Sequence, residues 1–374
     1  MKRLIRLISL ATISVLIFAS CEGPMGPVGP RGERGERGER GETGRDGQDA
    51  TCNRCHEPAP ITAFYDDYYL SGHYKGTSFA RGSSTACAPC HTPKGFLYVV
   101  ENNTPPNQYV VDAKTASLVN PINCKTCHST IHKGNYDWTL TTTAAVPLIM
   151  WGGKKTIEFT GSAASSNLCA KCHQPRPISG NSGAIDYSAL VSAPTAIYNL
   201  STLNNRTSIH YSSQAVLYAG VGGIEFEGST PYTHSRHRSM SGGVGISCSR
   251  CHMPNTDGLT EGHTFIATLK GCTVSCHSNN QDALRIRMEP LVAELAQLIS
   301  DLADKINKIG NGTNIISSDG TINQNNPELS KLTNAHVGAI INYQLVVNDA
   351  GAKAAAHNYP YVKALLQNSI EVLE

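Results

Sequence analysis

Apolar positions along the chain fall into three regimes. Leu7 to Phe18 is a continuous apolar run behind Lys2, Arg3 and Arg6. From Thr51 to about Asn280 the apolar residues are sparse and broken by Gly, Ser, Thr, Asn and Pro, which predicts loops, short helices and few strands. Within that region Ala215 to Gly228 carries Val216, Leu217, Ile224 and Phe226 interrupted by glycines, the pattern of a small hairpin. The last stretch is helical. Asp282 to Ile309 sets Leu284, Leu291, Leu295, Leu298, Leu302, Ile306 and Ile309 at helical spacing, with Gly310 at a C-cap position. Pro327 suits the first turn of a helix, Leu329 to Asn348 reads as a second helix and Pro360 to Leu373 as a third. The expected fold is mostly irregular and α-helical with little β-structure, closed by a C-terminal helical segment. The helical stripes are packing surfaces, for one another, for the preceding lobe or for a neighbouring subunit.

The apolar run at the start is shorter than the roughly 20 residues a membrane helix needs, and its basic flank makes it an export signal. It ends in Phe18-Ala19-Ser20-Cys21, which resembles a bacterial lipoprotein cleavage box, although Phe18 departs from the usual leucine. That resemblance implies removal of residues 1–20 and acylation of Cys21, giving a lipid anchor. Residues 21–50 are a different material. Glycine recurs at every third position from Gly23 to Gly47, with Pro24, Pro27 and Pro30 in the second position and GER repeated from Gly32 to Arg40. This is a collagen-like stalk. Extended at about 3.1 Å per residue it would hold the rest of the chain roughly 80 Å from the lipid. A homotrimer through this stalk is one expectation, and a solvated single-chain spacer the other.

Cysteine and histidine usage changes the picture of residues 51–280. Five segments have the form C-x-x-C-H: Cys52, Cys55 and His56; Cys87, Cys90 and His91; Cys124, Cys127 and His128; Cys169, Cys172 and His173; Cys248, Cys251 and His252. A sixth, Cys272, Cys276 and His277, has one extra residue between its cysteines. C-x-x-C-H is the attachment signal for haem c. Two thiols add to the porphyrin vinyl groups, and the histidine that follows falls under the iron as proximal ligand. A lone C-x-x-C is also half of a zinc site or a redox dithiol. Zinc calls for tightly paired motifs, and here the motif starts are 35, 37, 45, 79 and 24 residues apart. A redox dithiol needs no histidine after it. Six motifs use twelve of the thirteen cysteines and leave Cys21, so no pair remains for a disulfide. The count predicts six haem c groups carried by residues 51–280, with residues 281–374 completing the domain. A chain so poor in apolar periodicity would take its core from the porphyrins and be largely unfolded without them. The long gap between Cys169 and Cys248 is read as an inserted lobe.

Fourteen histidines minus six proximal ones leave eight. Six are taken as second axial ligands: His73, His132, His210, His237, His263 and His357. His234 and His336 are read as bystanders, with His234 competing against His237. His132 follows His128 by four residues and points to a neighbouring haem. Met253 sits too close to its own proximal histidine, His252, to reach across that haem.

The stretch from His210 to His277 resembles multihaem cytochromes that carry a histidine well before a CxxCHM and a GHTF after it. Here those are His237, the segment Cys248 to Met253, and Gly262-His263-Thr264-Phe265. Ala356-His357-Asn358 resembles the HN segment that supplies a second ligand in such proteins, including relatives of nitrite reductase and hydroxylamine oxidoreductase. Ser71-Gly72-His73 resembles another such segment.

The formal charge of +2 understates the acidity, because each haem brings propionates. No basic patch points to nucleic acid, and no phosphate loop, Ser-His-Asp order or paired carboxylates stand out. The best reading is electron transfer along closely spaced bis-histidine haems at the cell envelope. The protein would be exported and lipid-anchored to the outer membrane, facing the periplasm or the cell surface. Its partners would be redox proteins or extracellular acceptors. One alternative is a reductase of a small nitrogen compound or oxyanion at one open haem, although no motif ends in lysine as in many such reductases. Another is the protomer of a cytochrome filament.

Overall fold

Residues 58–110, 119–129, 138–180, 183–198, 209–238, 245–254, 262–277 and 280–374 are described by the structure, a computed structural model. The signal segment, Cys21, the collagen-like stalk, the first motif with Cys52, Cys55 and His56, and His132 lie outside them. The chain divides into Met1–Ala50 and Thr51–Glu374, and every described residue belongs to the second unit.

The long apolar stripe folds as the 29-residue helix Gln281–Ile309. Asn280 caps it by accepting the Ala283 amide at 2.9 Å, Asp282 and Lys308 complement its dipole at the two ends, and Gly310 closes it. Leu284, Leu295, Leu298, Leu302 and Ile306 form its buried face. The second tail helix is Asn334–Asp349, starting later than its apolar pattern suggests. Residues Pro327–Ser330 form a separate 3₁₀ turn, with Pro327 in the first turn, and Thr333 then caps the helix through a reciprocal box with His336. Almost every residue from Asn334 to Val346 is buried, so this helix is the axis of the fold. The third spans Ala355–Glu371 but breaks at Asn358, whose φ of −161° and ψ of 71° are not helical. Pro360 explains the break, because its ring displaces the carbonyl four residues earlier and it donates no amide.

These helices pack on one another and on residues 146–226, forming one main apolar cluster. Leu148, Ile157, Phe159, Leu190, Ile209 and Leu217 from the middle of the chain meet Leu295, Leu302, Ile341, Leu345, Val362 and Leu365 from the tail. The expectation that residues 51–280 bury no ordinary apolar core is therefore corrected. That stretch has too few apolar residues alone, and the tail supplies the other half. A smaller cluster, Ala88, Val99 and Tyr109, lies near the second motif.

Among the described residues β-structure consists of two short antiparallel pairs, Val146–Pro147 with Thr156–Ile157 and Ser179–Gly180 with Gly183–Ala184, and two isolated bridges, Ile197 with Thr333 and Ile316 with Ile322. The hairpin expected over residues 215–228 is not formed. Residues Gln214–Ala219 make a helix that ends at Gly220 in the left-handed region, with φ of 65°. The segment after it has no partner strand because a side chain does that work. Asn342 accepts the Ile224 amide at 2.9 Å and donates to the Ile224 carbonyl at 2.7 Å. Asn368 treats Thr230 the same way, accepting its amide at 3.1 Å and donating to its carbonyl at 2.9 Å. Asn334 donates to the carbonyls of Ala189 and Ala193. Buried asparagines thus imitate peptide groups and fasten loops to helices, satisfying polar groups that burial would otherwise penalise.

Leu345 is fully buried between the middle of the chain and the tail. Leu345→Ala is expected to destabilise the unit by about 2–5 kcal/mol, read as a lower denaturant midpoint at unchanged slope.

Candidate haem sites

The local fold of each described motif follows from its spacing. Residues three or four apart on a helix share a face. Cys124–Cys127 is one helical turn, capped by Asn123 through a reciprocal box with Thr126. Cys248–His252 is another, capped by Ser247. Cys87 is the N-cap of the turn Ala88–His91, and Cys169 lies in Ser166–Ala170. In the sixth motif Cys272 lies in the helix Leu269–Ser275 and Cys276 is its C-cap. The extra residue moves the pair from three apart to four apart, which leaves both sulfurs on one face.

No described cysteine is in a disulfide; Cys124 and Cys276 are exposed and the rest are half-buried. Burial, with help from Cys124, pushes Cys127 up to about 11, and burial followed by Cys272 does the same to Cys251. Cys248 and Cys90 are shifted the other way, Cys248 down to about 7 by its hydrogen bond with Cys169 and Cys90 by its hydrogen bond with Cys172. Thiols of different motifs also meet. Cys172 is hydrogen-bonded to Cys90, and Cys169 to Cys248. The attachment points of the second, fourth and fifth motifs are therefore contiguous.

Histidines far apart in sequence come together in four pairs. The ring centres are 6.1 Å apart for His73 and His173, 6.0 Å for His91 and His210, 6.0 Å for His237 and His277, and 6.3 Å for His252 and His357. Each pair joins a histidine that directly follows a C-x-x-C or C-x-x-x-C to one that does not. Two imidazoles bound to opposite faces of one metal ion, with metal–nitrogen bonds of about 2 Å, have ring centres roughly 6 Å apart.

The other ring nitrogen is tied down in six cases. Nδ1 of His128 donates to the Trp138 carbonyl at 2.7 Å, that of His210 to Tyr211 at 2.7 Å, that of His252 to Phe265 at 3.1 Å and that of His237 to Ala356 at 3.3 Å. His173 uses the Gln214 side-chain oxygen at 3.3 Å, and His357 the Asp349 carboxylate at 2.7 Å. A carbonyl can only accept, so these rings carry their proton on Nδ1 and keep the Nε2 lone pair for a ligand bond.

Burial keeps several of these rings neutral. Burial and then His173 pull His73 down to about 4. His91, His173 and His277 are also lowered, burial being the main cause in each. Burial pulls His357 down as well, but the Asp349 carboxylate more than offsets it and leaves this ring above its ordinary value.

His263 packs edge-on against Phe64 at 4.9 Å and near Phe265 at 5.9 Å. It thus stands beside the helix Pro58–Leu70 that follows the first motif. His128 packs against the Trp138 indole at 5.6 Å. His336 is part of a helix cap, and His234 lies against Gly220 and Tyr361. Among the described residues no group of three or more His, Cys, Asp or Glu side chains converges as for a bare metal ion. Sequence reasoning did not find Gln214, Asp349 or the carbonyls of Trp138 and Phe265. No spacing ties an acceptor to the imidazole it orients, so nothing in the sequence marks them.

Paired imidazoles with oriented tautomers, and cysteines two to a helical face directly before a histidine, fit haem c on both counts. The chain is a multihaem c-type cytochrome. A family model for cytochrome c552 matches residues 34–372, and the chain belongs to that family. No curated relative and no solved structure matches it.

Asn358 binds the arm that carries His237. It accepts the Ser235 amide at 2.7 Å and donates to the Tyr218 carbonyl at 3.4 Å, fully buried. Asn358→Ala is expected to destabilise the protein by about 1–3 kcal/mol and to perturb the Soret signals of two haems together, checked by thermal unfolding followed at the haem absorption.

Proposed function

We propose that this protein carries electrons through six covalently attached haem c groups, each iron held between two histidines, at the cell envelope. The observation that carries this reading is the set of four imidazole pairs at 6.0–6.3 Å, each crossing from a motif to a distant segment. In this reading His173 and His73 hold the fourth haem, His91 and His210 the second, His252 and His357 the fifth, and His277 and His237 the sixth. His263, beside the helix that follows the first motif, serves the haem attached at Cys52 and Cys55. The second ligand of the haem attached at Cys124 and Cys127 is left unassigned, because His132 follows His128 by four residues and points to a neighbouring haem. Haem c, when bound, supplies a one-electron couple at its iron.

The residues of the chain do the rest. Paired histidines fill both axial positions, so the sites carry charge and exclude substrate. Contiguous cysteines of the second, fourth and fifth motifs keep three attachment points in contact, which suits short electron steps. The export signal, Cys21 and the collagen-like spacer would place this assembly on the outer membrane, with redox proteins or extracellular acceptors as partners. Trimerisation through the stalk or filament assembly are ways to extend the path beyond one chain.

A second reading, reduction of a small nitrogen compound at one open haem, is favoured by His128. Among the described residues its ring packs against the Trp138 indole, whereas the other four described motif histidines each meet an imidazole. The two readings differ in spin state. Intact mass of the exported protein is expected to show six haem additions, and its resting ferric spectrum six low-spin irons. One high-spin iron would select the reductase, and a mass without porphyrin would end both. His73→Ala, His210→Ala, His237→Ala and His357→Ala are each expected to turn one low-spin iron high-spin, about a sixth of the ferric signal by electron paramagnetic resonance, with the haem count unchanged.

A further inference from the structure

Among the six described imidazoles whose Nδ1 faces an acceptor, His357 alone donates to a charged group. The acceptors for His128, His173, His210, His237 and His252 are four backbone carbonyls and the neutral side chain of Gln214. His357 donates to Asp349 Oδ2 at 2.7 Å. The Asp349 side chain has no exposed surface, and its other oxygen, Oδ1, is buried with no hydrogen-bond partner. Among the described residues its ion-pair partner is His357.

A carboxylate is an expensive choice there. It ends the helix Asn334–Asp349, where the helix dipole already presents negative charge. It is out of water, where an anion must be compensated nearby. An asparagine or a carbonyl would orient His357 equally well at lower cost, as neutral acceptors do for the other imidazoles. What a carboxylate adds is negative charge, delivered through the imidazole to whatever His357 ligates.

The geometry points to Asp349 as a positioning residue that lowers the midpoint potential of the haem held by Cys248, Cys251, His252 and His357, relative to the same site with a neutral partner. The inference rests on the His252–His357 pairing proposed above. Asp349 raises the basicity of the Nε2 that faces the iron, and its charge favours the ferric over the ferrous state. The step concerned is the gain of one electron at that iron. No bond breaks, and the Nδ1 proton stays between His357 and Asp349.

The site can be followed by itself. The His252 and His357 rings lie 28° apart, whereas the other three pairs lie 58–85° apart. The angle between imidazole planes on one iron sets the anisotropy of the low-spin ferric resonance, so among the four described pairs one signal reports this haem, and its loss in His357→Ala assigns it. The experiment is a dithionite titration of the fully haem-loaded, full-length protein, monitored by electron paramagnetic resonance. In Asp349→Asn the near-parallel signal is expected to disappear at a higher potential than in the wild type, with the other signals unmoved. Asp349→Glu, which keeps the charge, is expected to restore the wild-type value. An unshifted near-parallel signal in a fully loaded Asp349→Asn protein overturns the proposal.

If Asp349→Asn does not load haem, Asp349→Ser is titrated in its place: loss of the near-parallel signal at a higher potential than in the wild type supports the proposal, and an unshifted signal overturns it. His357→Ala distinguishes the two layers of the argument. If every iron stays low-spin in that variant, the pairing itself is wrong; if one turns high-spin, only the role of Asp349 is at stake.

Discussion

The described part of this protein turns on holding imidazoles, brought from distant parts of the chain, in pairs about 6 Å apart. A covalent motif fixes one of each pair locally, on a helical turn that needs little support. The other must be delivered by tertiary structure, and this is where the fold spends its packing. His210 is carried next to Ile209, whose amide is bound by Gln344 of the central helix. His237 is held through its Nδ1 by the third tail helix, and His357 belongs to that helix outright. The apolar cluster between residues 146–226 and the tail is therefore more than a source of stability. It sets the positions from which three of the four paired imidazoles outside the motifs are presented.

Legibility in the sequence followed the same division. Motif spacing made the local geometry of the five described motifs legible, because two sulfurs and the histidine that follows must sit within about one helical turn. The tail helices were legible because their apolar period is long and their caps are ordinary. The misreadings lie where a side chain substitutes for backbone. Residues 215–228 look like a hairpin, but Asn342 supplies the pairing that a second strand would give Ile224. The second tail helix starts at Asn334 rather than Leu329, because the cap at Thr333 outweighs an apolar pattern that begins earlier. Which imidazole faces which is not written in spacing at all. His73 lies close before the second motif yet faces His173 of the fourth, and only packing decides that.

Polar groups are used in two distinct ways. Asn334, Asn342 and Asn368 replace peptide partners and leave no charge behind. Asp349 does the opposite, placing a full charge where the surroundings oppose it. The contrast separates residues that make the scaffold from one whose presence only its neighbour explains.

The three residues Ala356-His357-Asn358 serve two arms at once, one by ligation in the proposed arrangement and one through the Ala356 carbonyl and the Asn358 side chain. In that arrangement one short segment closes the second face of two sites, so a single substitution that displaced it would leave both irons with one side bare, accessible to water, dioxygen or a stray thiol.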